Sequence, residues 1–209
     1  MLNENVINKV FNDLTRDPIW IKKTKLNENW KDDPVFSTYH KLGNKQKGTN
    51  GEYVVEQIFK ELGKNVVATR DSKIHKGTDF DMIVDGYKTE IKFSLANSSD
   101  DSINTNDFMI NHAAVEKDWD RLVFFGVNPE GCTNRAEMYF VEKKEFKDYI
   151  NSYVVPARAT DDIQLRAKIF KTCAFKPQQG GYKSLNDDYM CTDFKMFLDL
   201  PFTKEISLW

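Results

Sequence analysis

The stretch from Asp79 to Ser94 constrains this chain more than any other. Asp85-Gly86 is a preferred two-residue turn, and it stands between two runs in which polar and apolar residues alternate. A reversal there fixes a register. Val84 faces Tyr87, Ile83 faces Lys88, Met82 faces Thr89, Asp81 faces Glu90 and Asp79 faces Lys92. Opposed residues share a face of a sheet, and neighbours along a strand alternate. The spacing therefore predicts Asp79, Asp81, Glu90 and Lys92 on one side. Phe80, Met82, Ile91 and Phe93 are predicted on the other, in the core.

Two acids directly opposed repel each other unless a cation lies between them. Carboxylate oxygens are the ligands Mg²⁺ prefers, usually one or two of them with waters and phosphate. A lysine two residues after the second acid lies beside such an ion. There it orients or deprotonates a water, or steadies charge growing on a phosphate. These are the parts of metal-assisted phosphodiester hydrolysis. Asp79 is the alternative to Asp81 as the principal metal acid; Asp81 is preferred because it opposes Glu90. The competing reading is a solvated sheet face with Asp79–Lys92 and Glu90–Lys88 ion pairs, which stabilise little.

Around the hairpin, apolar periodicity predicts a helix over 3–14 with Val6, Ile7, Val10, Phe11 and Leu14 on one side, then an irregular segment over 15–47. Gly48-Thr49-Asn50-Gly51 opens a helix over 50–62, with Val54, Val55, Ile58, Phe59 and Leu62 as its apolar face and Gly63 as its stop. A short strand over 65–69 follows. After the hairpin come a loop (97–104), a helix (105–117), a buried strand (122–127), a strand (136–141) and a helix (143–153). Beyond 154 the pattern is weak.

The order Asp81, Glu90, x, Lys92 resembles the active-site signature of the PD-(D/E)XK nuclease superfamily, the restriction-endonuclease-like fold. The leading proline is replaced by Phe80. The Gly48–Val55 segment is similar to the helix these nucleases place before their first strand, where an acid near the helix start helps hold metal. Glu52 is the matching residue, with Glu56 one turn on as the fallback; an acid complementing the helix dipole is the equal alternative. The order helix, three strands, helix, strand is also that of the family core. The resemblance covers about residues 48–127 and implies an α/β fold: a mixed central sheet flanked by helices, with an N-terminal extension (1–47) and a C-terminal addition (128–209) for DNA recognition or dimerisation, all in one domain. It further implies a Mg²⁺ cofactor, with Mn²⁺ as a substitute. Asp81, Glu90, Glu52 and the Ile91 carbonyl would be the ligands, and Lys92 would assist the water. An acid-x-Lys pattern alone discriminates little. It recurs at Asp71/Lys73, Glu142/Lys144, Glu145/Lys147 and Asp193/Lys195. The last, with Asp187 or Asp188 upstream, is the nearest rival, but it is expected to lie too near the C-terminus to be followed by the required helix and strand.

The size and additions resemble those of type II restriction endonucleases, which implies double-stranded DNA as partner and a homodimer that cuts both strands. A junction-resolving or repair nuclease, or a non-catalytic DNA-binding module, is the alternative on the same fold. The formal net charge of −2 excludes a broadly basic nucleic-acid binder and leaves local patches to hold phosphate. Lys41, Lys45 and Lys47 precede the Glu52 helix, Arg70, Lys73 and Lys76 precede Asp81, and Ser94 shares the face of Lys92. Arg158, Arg166, Lys168, Lys171, Lys176 and Lys183 form a third basic set. Near it, Gln178, Gln179 and Asn186 have side chains able to pair with adenine, though a plain surface loop outranks base reading. His112 and Asn111 are expected to interrupt a helix, and Trp119 and Trp209 to pack. Cys132, Cys173 and Cys191 match no zinc spacing and are expected to be reduced thiols. No nucleotide cofactor, no membrane span and a cytoplasmic location are the remaining expectations.

Overall fold

The computed structural model describes residues 6, 9, 10, 13, 14, 44–71, 77–96, 108–128, 135–178 and 181–209. The irregular segment before residue 44 with Lys41, and also Lys73, Lys76, the 97–104 loop, Cys132 and Gln179, lie outside them. The protein is α/β. Six strands form a mixed central sheet in the order β1 (Val66–Ala68), β2 (Met82–Val84), β3 (Tyr87–Leu95), β5 (Arg121–Asn128), β6 (Arg135–Glu142), β9 (Lys204–Glu205). The β3–β5 pair is parallel and the others are antiparallel. A second sheet has the order β4 (Ile110–Ala114), β8 (Asp188–Cys191), β7 (Lys176–Pro177). The helices are α1 (Asn44–Glu61), α2 (Lys143–Arg158), α3 (Ile163–Ile169) and α4 (Phe194–Leu198).

The hairpin has the expected register: Met82 pairs with Thr89, Ile83 with Lys88 and Val84 with Tyr87. Asp85 and Gly86 both have positive φ (50° and 89°), as the twisted two-residue turn requires. Alternation then sends Met82, Val84, Ile91 and, partly buried, Phe93 to one face of the sheet, where they meet Val54, Val55, Ile58 and Phe59 of α1. Val10 and Leu14, on helical backbone, join this cluster. The opposite face, with Leu122 and Phe124, packs against the second sheet, α2 and α4 through Trp119, Phe146, Tyr189 and Phe197. Cys173 and Cys191 are free and buried in that cluster. Among the described residues no helix is long and apolar enough to cross a membrane.

Three expectations are corrected. The 105–117 segment is not a helix where it is described: Ile110–Ala114 is strand β4, and it is followed by a turn. Phe108, Ile110, Ala113 and Val115 are its buried residues, a period of two with one slip. The slip is a bulge between Ile110 and Ala113, with His112 at φ 55°. A bulge in an alternating pattern leaves an i, i+3 spacing that reads as helical. In its described part, the crossover between the parallel strands β3 and β5 thus carries a strand where a helix is expected. Secondly, α1 begins at Asn44 rather than 50, so Gly48 and Gly51 lie inside it. A Cβ on Gly51 would collide with the Phe93 side chain, so this glycine lets α1 lie directly on β3. Thirdly, Phe80 joins the cluster opposite to that of Met82. Residues 79–81 bend out of regular strand, and strict alternation stops there.

The two helix glycines carry a prediction of opposite signs. Gly48→Ala, with open space around its Cβ, is expected to stabilise by about 0.5–1 kcal/mol. Gly51→Ala is expected to destabilise by about 1–3 kcal/mol through overpacking. Urea unfolding of both variants measures the pair; equal shifts would remove the account of the α1–β3 contact.

Candidate active site

Beyond Thr89, β3 has no partner on its β2 side, because the β2 ladder stops at Met82. Asp81 fills that place. Its N–H donates to the Thr89 carbonyl at 3.0 Å, and its Oδ2 accepts from the Ile91 N–H at 2.7 Å. The carboxylate is thereby fixed beside the residue after Glu90. Glu90 pairs with Leu122 across the parallel ladder and Lys92 with Phe124, so both lie on the face that packs against the second layer. This is not a solvated surface. Glu90 is 4% exposed. The Lys92 ammonium donates to Glu90 Oε1, and Lys88 turns instead to Asp118 at 2.7 Å. The ion pairs of the solvated-face reading are absent among the described residues.

The acids sense one another. Burial pushes the Asp81 carboxyl up to about 7, helped by the charges of Glu90 and Glu52 and opposed by the Ile91 N–H and Lys92. Burial also raises Glu52, with Arg70 opposing and Glu90 reinforcing. Glu52 is carried there by α1, two turns from Lys45 and next to the Gly51 contact with β3. Glu52, Asp81, Glu90 and Lys92 therefore form one electrostatic unit contributed by a helix and both arms of the hairpin. Three carboxylates gathered beside Lys92 in a partly buried place offer the oxygen ligands that a divalent cation prefers. Among the described residues no three His, Cys, Asp or Glu side chains form a ready-made metal group. The fit to Mg²⁺ thus rests on the all-oxygen chemistry of the donors.

Other sequence candidates separate from this unit. Asp79 is exposed, in the bend, and not opposite Lys92 in any ladder. Glu56 is buried and paired with Lys60 and Arg70. Arg70 also lies over the Tyr53 ring at 5.0 Å, so it is committed inside the protein while biasing Glu52. The Ser94 hydroxyl accepts from the Met109 N–H at 3.1 Å and donates to the Leu95 carbonyl at 3.2 Å. Lys47 is half-buried on α1. Gln178 holds the β4 bulge: its Oε1 accepts from the His112 N–H at 2.9 Å, and its Nε2 lies 3.3 Å from the imidazole. Lys183 ends a short turn whose carbonyls at Tyr182 and Lys183 accept from Arg166. Asp193, of the rival acid-x-Lys pair, caps α4 through the Met196 N–H.

One residue near the site went unread in the sequence. Lys117, in the turn after β4, places its Nζ 3.7 Å from Glu90 Oε1. No sequence signal marks it, since nothing local connects that turn to the hairpin. No family model, curated protein or solved structure matches this chain.

Proposed function

We propose that this chain is a Mg²⁺-dependent endonuclease hydrolysing phosphodiester bonds of double-stranded DNA, with the restriction-endonuclease-like core of the PD-(D/E)XK superfamily. The finer reading is a type II restriction enzyme acting as a homodimer at a short specific sequence. The observation that carries the proposal is the hairpin that brings Asp81, fixed by the Ile91 N–H, beside the buried Glu90–Lys92 pair, with Glu52 of α1 near enough for its charge to be felt at Asp81. A structural ion pair needs one acid and one base. Three acids that raise one another's proton affinity cost the fold stability, and such clusters are concentrated at sites of chemistry.

In this reading Asp81 and Glu90 hold the ion, the Ile91 carbonyl and Glu52 add oxygen ligands, and Mn²⁺ is an acceptable substitute. The cation supplies Lewis acidity toward the phosphate oxygens. Lys92 is held within hydrogen-bonding reach of Glu90, where it orients the attacking water or takes its proton. Asp81 is held rigid by the Ile91 N–H, so its second oxygen is the one free to turn toward a ligand.

Incubation with phage-length DNA and Mg²⁺, with and without chelator, tests the proposal. Discrete bands that vanish with chelator are expected. Cutting confined to branched DNA would replace the restriction reading by a structure-specific nuclease. Binding without any cleavage would leave only a DNA-binding module.

A further inference from the structure

On the nuclease reading above, we infer that Lys117 grips a backbone phosphate of the DNA at the reacting site. The inference begins with a surplus of charge at one oxygen. Glu90 Oε1 accepts from Lys92, whose side chain is 15% exposed, and it also lies 3.7 Å from the Lys117 ammonium, whose side chain is 42% exposed. One carboxylate is balanced by one ammonium. Lys117 is the second, and it is the one that solvent and an incoming anion can reach. Of the two ammoniums beside Glu90, that of Lys117 is the more accessible to a phosphodiester arriving from solvent.

The turn that carries Lys117 is built to hold it in place. The buried Trp119 donates its indole N–H to the Ala114 carbonyl at 2.9 Å and its backbone N–H to the Lys117 carbonyl at 3.1 Å. The Lys143 ammonium donates to the same carbonyl. The flanking acids point elsewhere: Glu116 pairs with Lys147 at 3.2 Å and Asp118 with Lys88 at 2.7 Å. Neither acid competes with phosphate for the Lys117 ammonium. All these anchors use the Lys117 backbone or its neighbours, so truncating the side chain leaves the turn standing.

The test measures binding of a labelled mixed-sequence DNA duplex in chelator over a range of KCl, for the wild type, Lys117→Ala and Lys117→Arg, beside cleavage of phage DNA in Mg²⁺. Lys117→Ala is expected to bind on the order of tenfold more weakly. Its log–log salt slope should be shallower by about 0.9, the share of one phosphate contact. In cleavage its KM should rise with little change in kcat, and Lys117→Arg should restore most of both. Wild-type binding and slope in Lys117→Ala, or a fall in kcat at constant KM, would overturn the inference, the latter because Lys117 would then act only through Glu90. A wild type that binds DNA but never cuts it would overturn the nuclease reading alone, while a flattened slope in Lys117→Ala would still support the phosphate contact.

Discussion

Glu90→Gln is expected to lower the Mg²⁺-dependent cleavage rate by about a thousandfold while leaving the protein folded. Glutamine keeps the size of the side chain and one oxygen that still accepts from Lys92, so packing between the two layers is preserved. What it removes is a full negative charge in a pocket where Glu90 is 4% exposed. Charge there is worth far more than on the surface, because water does not screen it. Lys92→Met should give a loss of the same order by a different route, since the cation site stays intact and the water loses its partner. Single-turnover cleavage rates and melting temperatures measure both. A Glu90→Gln protein that melts like the wild type and cuts within about tenfold of it, a loss smaller than one catalytic group commonly causes, would remove Glu90 from the reaction.

Asp81→Asn is expected to do the opposite to stability. The Asp81 carboxyl is raised from 3.8 to about 7 by burial and by Glu90 and Glu52. The folded protein therefore holds this proton more tightly than the unfolded chain does. Its contribution is full below the unfolded value of 3.8 and is lost as pH climbs through about 7. Asparagine never ionises, and its amide oxygen still accepts from the Ile91 N–H. In chelator at mildly alkaline pH the variant should be more stable by about 2–4 kcal/mol, and the gap should close as pH falls below the window. Mg²⁺ should narrow the gap from the other side, because it stabilises the wild type and has less to hold in the variant. Cleavage should be lost. Urea unfolding of both proteins across that pH range is the measurement. A pH-independent gap would show that the burial of Asp81 is not what sets its energetics. Stability gained by removing a functional acid is the usual sign of a site kept at a cost to the fold.

The hairpin is legible because a two-residue turn leaves no freedom of register near it: once Asp85-Gly86 is the turn, the three pairs next to it follow, while the expected Asp81–Glu90 and Asp79–Lys92 pairs fall outside the ladder. Strands β5 and β6 were legible for a related reason, since Leu122–Val127 is apolar on both faces and can only be buried. Phe80 was misplaced because alternation holds only as long as the chain is extended, and three residues of bend are invisible in the alphabet. Strand β4 was misread because one bulged residue turns a period of two into a helical spacing. The start of α1 is hidden in the sequence because glycine reads as a helix opener, whereas Gly51 is needed for the close approach to Phe93. Of the proposed site, the nearness of Asp81, Glu90 and Lys92 is readable from the local order of the hairpin, and that of Glu52 is suggested by the resemblance alone. Asp79 fell out with the bend. Lys117 could not be read, because its approach to Glu90 is a product of the tertiary fold.

The carboxylate of Asp81 occupies the spot where a neighbouring strand would have offered a carbonyl to the Ile91 N–H. One side chain thus serves as a stopper at this point of the sheet as well as a member of the proposed site. An open row of backbone donors invites pairing with another chain, and a short polar residue at this point closes the row without extending the sheet. A residue without an oxygen acceptor leaves the Ile91 amide without this partner, and asparagine is the replacement that keeps an oxygen of the same reach.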